Sequence, residues 1–421
     1  MATFAAFLAL LLVGAPIGIV LALSAVAYIV VTGNDVLFAS YALQLFSGVD
    51  SYGLLAIPLF LFLGELMNGG GLTQRLVGLA KALVGTLRGG LAYINIVANM
   101  LLASILGSAT AQISIMSKVM VPEMDREGYD RAFSVATTAC AGLLAPIIPP
   151  SMMFVVYGVL AQVSIGDMFI AGIIPGVLLA GSFILVVFVI GLLRPYPLPK
   201  AMSMRERLAN VKGGLITLSI PLVIIGSITS GVATPTESAA VACVAAWTIG
   251  RFVTGEFKSN ELPEMFASAG RNAALVLFMV AAANVFSWVL IYGQVPQALS
   301  GWIQQVATGP VSFMLLVNVI LLAVGTVIDG IPGLIMVVPI LLPIATDVYG
   351  INPYHFGVVV SMNMVLGLVS PPVGVALYVA AAVTGMRAGE IFRAALPYCL
   401  ATCVVLVLLS VFPWFTTVLL K

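Results

Sequence analysis

Four interruptions in apolar sequence hold the residue types that bind ions away from bulk water. The first is Gly107-Ser108-Ala109-Thr110, with Ser104 on the apolar run entering it. The second is Ala145-Pro146-Ile147-Ile148-Pro149-Pro150-Ser151. The third runs Gly325-Thr326-Val327-Ile328-Asp329-Gly330, with Gly333 just behind it, and the fourth is Ser370-Pro371-Pro372. A helix that stops leaves its last carbonyls unpaired, and one that starts leaves its first amides unpaired. The carbonyls can coordinate a cation such as sodium; the amides can hold an anion. Glycines let backbone come close, and prolines free carbonyls one turn earlier. One sodium cage is therefore expected from Ser104, Gly107, Ser108, Thr110 and the Ala145–Ile148 backbone. Its counterpart would use Gly325, Thr326, Asp329, Gly330 and Ser370. A solute is expected against Ser108, Ala109, Thr110, Pro150 and Ser151 from the first pair of breaks, and against Gly333 and Pro372 from the second.

Thr234, Thr236 and Glu237 form a further candidate contact for the solute, in Gly231-Val232-Ala233-Thr234-Pro235-Thr236-Glu237-Ser238. Glu237 and Asp329 can each line a site or bind a cation. Glu237 can equally cap the helix starting at Pro235, since Thr234-x-x-Glu237 is a capping-box pattern. Glu65 is expected at the cytoplasmic interface, and Lys118 can snorkel toward the cytoplasm. No arginine is predicted near the midplane. For a carboxylate solute, helix N-termini, hydroxyls and bound sodium must then balance its charge, which makes cation coupling a physical need.

These breaks sit in a chain of 421 residues that is 62% hydrophobic and 8% charged. A soluble domain carries about 25% charged residues, so the composition specifies an all-α polytopic membrane protein. A net charge of +1 without a basic cluster gives no case for nucleic-acid binding. The one histidine, His355, provides no histidine set for a metal site or a hydrolase. Cys140, Cys243, Cys399 and Cys403 all lie in apolar runs and read as small buried hydrophobes. The N-terminus lacks a charged n-region and a cleavage site, so the first span is expected to stay in the protein. An intramembrane enzyme is not expected: there is no HExxH and no GxSxG in a span. A pure scaffold would have no use for breaks at membrane depth.

The elements follow from the breaks. Ala2–Val31 reads as one span weakened at Gly14-Ala15-Pro16, followed by a loop over Gly33–Ser51 and a second span over Tyr52–Asn68. Leu72–Leu87 is amphipathic and suits the interface. Gly90–Leu106 and Ala111–Pro122 form a re-entrant hairpin, residues 90–122 in all. Tyr129–Ala145 and Ser151–Val163 form a broken helix, and Phe169–Leu193 a span. Arg194–Lys212 is the most polar stretch and reads as a cytoplasmic linker, residues 194–213. The pattern then restarts: Gly214–Ser230, Ala239–Arg251, Asn272–Tyr292, an arm over Pro296–Ala307, and a second hairpin over 310–345. A second broken helix (Phe356–Val369, Val375–Val383) and Ala394–Leu420 close the chain. Shifting by 222 residues places Gly71 on Gly293, Ser108 on Gly330, Asp125 on Asp347, Gly128 on Gly350 and Pro149-Pro150 on Pro371-Pro372. Residues 1–193 and 214–421 are thus two repeats. A single Gly or Pro is as readily a packing kink, but matched breaks in two halves point to a transport site. Arg75, Lys81, Arg88, Arg126 and Arg131 flank the first hairpin base, whereas the second base, around Thr308 and Asp347–His355, has no Lys or Arg. The first base is then cytoplasmic and the second external, an inverted repeat.

Three stretches together resemble a known family: GSATA and VMVPEMDREGYDR with APIIPPS (Gly107–Ser151), SGVATPTESAAVA (Ser230–Ala242), and PILLPIATDVYGINPYHFGVVVSMN with LGLVSPPVG (Pro339–Gly374). They are similar to the large membrane (permease) subunit of TRAP, tripartite ATP-independent periplasmic, transporters. Leu54–Leu72 is similar to that family's second span, so the resemblance covers essentially the whole chain. It implies an elevator mechanism of the ion-transporter superfamily and sodium-driven uptake of an organic acid, with sodium as coupling ion and no other cofactor. It further implies a periplasmic substrate-binding protein, a separate small four-helix membrane subunit, and a multi-pass place in the bacterial or archaeal inner membrane. The family's site residues carry over to Ser104, Gly107, Ser108, Thr110, Pro149, Pro150, Asp329, Gly330, Gly333, Ser370, Pro371 and Pro372. The competing expectation is a self-sufficient sodium/carboxylate or anion carrier of the same superfamily, without a binding protein. Cysteine labelling of intact cells checks the orientation: Asp347–His355 should react from outside and Asp125–Tyr129 from inside, and the reverse would overturn it.

Overall fold

A computed structural model of the chain describes residues 2–85, 89–193, 196 and 202–420. Arg88, which flanks the first hairpin base, lies outside the described residues, as does most of the first half of the 194–213 linker, Arg194 and Lys200 included. The described residues are helical, without strands. Among the described residues, six helical segments are long and apolar enough to cross a membrane.

The N-terminal region differs from the sequence reading. Instead of one span it forms α1 (Ala2–Leu12) and α2 (Ile17–Thr32), which pack on each other. Gly14 takes φ +80° and Pro16 lacks an amide, so the chain turns where only a weak point was expected. The expected loop over Gly33–Ser51 contains α3 (Asp35–Ser47), capped by the Asn34 side chain, which accepts from the Val36 and Leu37 amides. A short 3-10 turn leads into α4 (Ala56–Gly69), and α5 (Leu72–Val84) is the amphipathic arm. The arm buries Leu72, Leu76 and Leu79 against protein, chiefly α11 (Met204–Thr229) and α6 (Gly90–Leu106). α11 starts ten residues before the predicted span. Ser203 and Glu206 form a capping box there, so the second half of the predicted linker is helix.

Between them come α7 (Ala109–Arg126), α8 (Arg131–Gly142), α9 (Met152–Leu160) and α10 (Ile165–Leu193). After α11 the chain continues as α12 (Pro235–Thr248), α13 (Leu262–Tyr292), α14 (Val295–Val306), α15 (Pro310–Gly325) and α16 (Gly330–Pro343). The arm α14 meets α15 at 112°. α17 (Pro353–Gly367), α18 (Val375–Thr384), α19 (Ala388–Val411) and the short α20 (Trp414–Thr417) complete the fold. The 222-residue shift carries α5 onto α14, and the α6–α10 series onto α15–α19 within a few residues at each end. Both Pro149-Pro150 and Pro371-Pro372 are cis.

The helices pack in two groups. α2, α3, α4, α5, α11, α12 and α13 make one; the hairpins α6–α7 and α15–α16 gather around α8, α9, α17 and α18 in the other, with α10 and α19 outside them. The broken helices are the centre: Phe133–Gly142 of α8, Met152–Gly158 of α9 and His355–Gly367 of α17 are buried throughout. The outer helices instead present Leu185, Phe188, Leu222, Leu400 and Val404 as exposed apolar surface suited to lipid. At the core, α9 crosses α17 where Gly357 faces the Tyr157 ring; a Cβ on Gly357 would lie 2.3 Å from Tyr157 Cε1. Gly357→Ala should therefore cost about 1–3 kcal/mol by overpacking, read as a lowered Tm in detergent. An unchanged Tm would contradict this crossing.

Candidate functional site

The first hairpin tip is built by α6 ending and α7 starting within two residues. Gly107 takes φ +58°, a left-handed turn that glycine adopts without strain. Ser108 is extended and caps α7, its Oγ accepting from the Ala111 amide at 3.5 Å and lying 3.2 Å from Thr110 Oγ1. Ser104 sits one turn back, its hydroxyl donating to the Leu101 carbonyl. This tip meets the first break directly: a Cβ on Gly107 would lie 3.2 Å from the Met152 amide and 3.6 Å from Met152 Cβ. The break, Leu143–Ser151, is held by Ser151, whose hydroxyl donates to the Pro146 carbonyl while its oxygen accepts from the Phe154 amide. Ala145 is buried, and no described group donates to its carbonyl. Pro150 and Ser151 are buried as well.

The second tip meets the second break in the same manner. The Val373 amide donates to the Thr326 carbonyl at 3.1 Å, and Gly325 lies against Gly367 backbone to backbone. A Cβ on Gly367 would fall 2.5 Å from Gly325 Cα, so this contact admits only glycine. Asp329 caps α16, its carboxylate accepting from the Gly330 amide at 2.9 Å, while its carbonyl accepts from Gly333. Ser370 donates to the Leu366 carbonyl, and Thr326 Oγ1 to that of Ala323. Asp329, Pro371 and Pro372 are exposed, whereas Pro149 and Pro150 are enclosed.

The two tips reach neighbouring residues. Gly107 abuts Met152, and a Cβ on Gly330 would lie 2.7 Å from Met153 Cε. Residues from all of the first three breaks therefore surround the start of α9, and Gly333 packs on Met364 of α17 beside them. Met152 and Met153 were not singled out from sequence. Their only signal was position, directly after the Pro-Pro-Ser cap. Thr234, Thr236 and Glu237 stand apart from this cluster. α12 packs mainly on α4 and α11, Thr234 and Glu237 form a complete capping box, and Thr236 Oγ1 donates to the Tyr52 carbonyl at 3.4 Å. Of the two roles open for Glu237, the geometry displays the cap. Glu65 accepts from Ser268 Oγ between α4 and α13. Among the described residues no group of three or more His, Cys, Asp and Glu is placed to hold a metal ion; the oxygens the tips offer a cation are carbonyls, hydroxyls and the Asp329 carboxylate.

Three comparisons bear on this arrangement. The family described as tripartite ATP-independent periplasmic transporter, DctM component, matches residues 4–415. The chain is 37% identical over 374 residues to the C4-dicarboxylate TRAP transporter large permease protein of Pseudomonas aeruginosa, covering 89% of this chain and 87% of that one. It is also 37% identical over 415 residues to the sialic acid TRAP transporter large permease protein of Vibrio cholerae, covering 98% and 96%. In fold it is similar to the Alcanivorax borkumensis YdaH transporter, whose crystal structure revealed an unusual topology; the TM-score is 0.67 at 16% identity, over 92% of this chain and 90% of that one. The contact between the first tip and break has a direct check. In a chain freed of its four native cysteines, Gly107→Cys with Met152→Cys should form a disulfide on mild oxidation, because the 3.6 Å Cβ separation falls in the bonding range. Failure of this pair to cross-link would contradict the geometry.

Proposed function

The chain belongs to the DctM-component family of tripartite ATP-independent periplasmic transporters, and on that premise we propose that it imports an organic acid by sodium-coupled, binding-protein-dependent transport. It is a large permease and a multi-pass protein of the inner membrane. The observation that carries the finer reading is the convergence of both hairpin tips on Met152 and Met153. One solute there touches helix starts at Ala109, Met152 and Gly330 together, with the hydroxyls of Ser108, Thr110 and Ser151 close by. Sodium would sit at the helix ends behind these starts, one ion held by Ser104, Gly107, Ser108 and the Ala145 carbonyl. A second would be held by Gly325, Thr326, Asp329, Gly330 and Ser370.

The substrate class follows from two considerations. Helix N-termini favour an anion, and similar permeases are named for C4-dicarboxylate and for sialic acid, both carboxylates. Movement would be of the elevator kind, the hairpin group sliding against the group containing α2, α4, α11 and α13. Opposed entry of the hairpins, supported by Arg75, Lys81, Arg126 and Arg131 at one base and no Lys or Arg near the other, gives such a carrier two related end states. A periplasmic binding protein would deliver the acid, and a small four-helix subunit would support the permease. Proteoliposome uptake of labelled succinate and sialic acid under an inward sodium gradient tests this. Uptake should need the chain, its small subunit and the binding protein together, and should vanish in Ser108→Ala with Gly330→Ala while insertion persists. Uptake by the chain alone would overturn dependence on the binding protein, and uptake undiminished in the double variant would overturn the assignment of the tips.

A further inference from the structure

α7 divides into two faces. Ala109, Gln112, Ile113, Met116, Ser117, Met120 and Val121 are buried. Opposite them runs a stripe from the tip to the base, Ala111, Ile115, Lys118 and Pro122 with Ser114 on its flank, in which Ala111, Lys118 and Pro122 are exposed. A stripe facing lipid should carry large apolar side chains, as α10, α11 and α19 do. None of the exposed residues of this one is large and apolar, and its one large apolar side chain, Ile115, is half-buried. Among the described residues, no exposed large hydrophobic falls between Leu83 and Val177, a span that includes all of α7. The stripe therefore suits water or a moving neighbour better than acyl chains.

Lys118 is the charged residue on that stripe. It lies about 15 Å along the helix from Ser108, roughly halfway to the base. The ion pairs of the described residues are Lys81–Glu123, Arg131–Asp125 and Lys258–Glu261, so no described carboxylate pairs with Lys118. A cation at membrane depth is costly without a partner, and an unpaired one marks a pathway more often than a packing position. The second hairpin has no counterpart, since the residue 222 positions on is Ile340.

We infer that Lys118 draws the released carboxylate from the first hairpin tip along the Ser114 face of α7 toward the cytoplasm. It is a positioning residue for release, and the absence of a matching cation at Ile340 biases the two ends of the route differently. The inference rests on the uptake reading above. Two measurements test it. In a chain freed of Cys140, Cys243, Cys399 and Cys403, Lys118→Cys should react with a membrane-impermeant thiosulfonate from the cytoplasmic side alone. No labelling, or labelling from outside alone, would overturn the water-facing stripe. In counterflow with succinate, Lys118→Gln should raise the half-saturating internal concentration about threefold to fivefold, the size of an exposed charge pair. External half-saturation should stay unchanged, and Lys118→Arg should restore the internal value. An unchanged internal value, or no restoration by arginine, would overturn the role. If the wild type carried no carboxylate, the release role would fall with the uptake reading, and the labelling result would still tell a water-facing lysine from a lipid-facing one.

Discussion

Non-helical backbone inside a membrane must have its polar groups paired or aimed at something that pairs them. The rest of this fold follows from that constraint, imposed at Leu143–Ser151 and again at Leu368–Gly374. Each break is answered by a hairpin tip brought against it: the Thr326 carbonyl takes the Val373 amide, and Gly107 closes on the Met152 amide. Serine does the remaining work locally, with Ser151 bridging Pro146 and Phe154 and Ser370 returning to Leu366. Burial of α8, α9 and α17 through nearly their whole lengths keeps lipid away from the breaks. Where the pairing is incomplete, as at the Ala145 carbonyl, an ion has a natural place, which is the basis of the proposed coupling.

The two breaks do not offer the same access. Pro149 and Pro150 are enclosed, while Asp329, Pro371 and Pro372 are exposed. Gly325 and Gly367 touch so closely that the second tip and second break must move together or separate entirely. On the proposed reading, this contact makes the second tip and break one rigid unit that carries its cation with it.

Much of this was legible in the sequence because the signals were local. The hairpin and broken-helix boundaries fell where Gly107-Ser108, Asp329-Gly330 and the two Pro-Pro pairs interrupt apolar runs, and the helices end within a few residues of them. The Thr234-x-x-Glu237 cap was likewise readable from spacing alone. What escaped was what depends on tertiary placement. Gly14 and Pro16 signal a weak point, but whether a helix bends there or turns back is settled by the packing of α1 on α2. α3 lies within the Gly33–Ser51 stretch expected as loop, and the Asn34 cap was the missed cue. The meeting of both tips at Met152 and Met153 joins residues nearly half a chain apart, and no local pattern encodes it.

The central claim is that the tips and breaks together bind sodium and so make room for an anion. Equilibrium binding of radioactive sodium to the purified chain, with and without succinate, tests it most directly. The account predicts saturable binding of two sodium ions that tightens when succinate is present and falls to one ion in Gly367→Ala, where the second tip cannot close on its break. Absence of saturable binding, or binding indifferent to both succinate and Gly367→Ala, would contradict it.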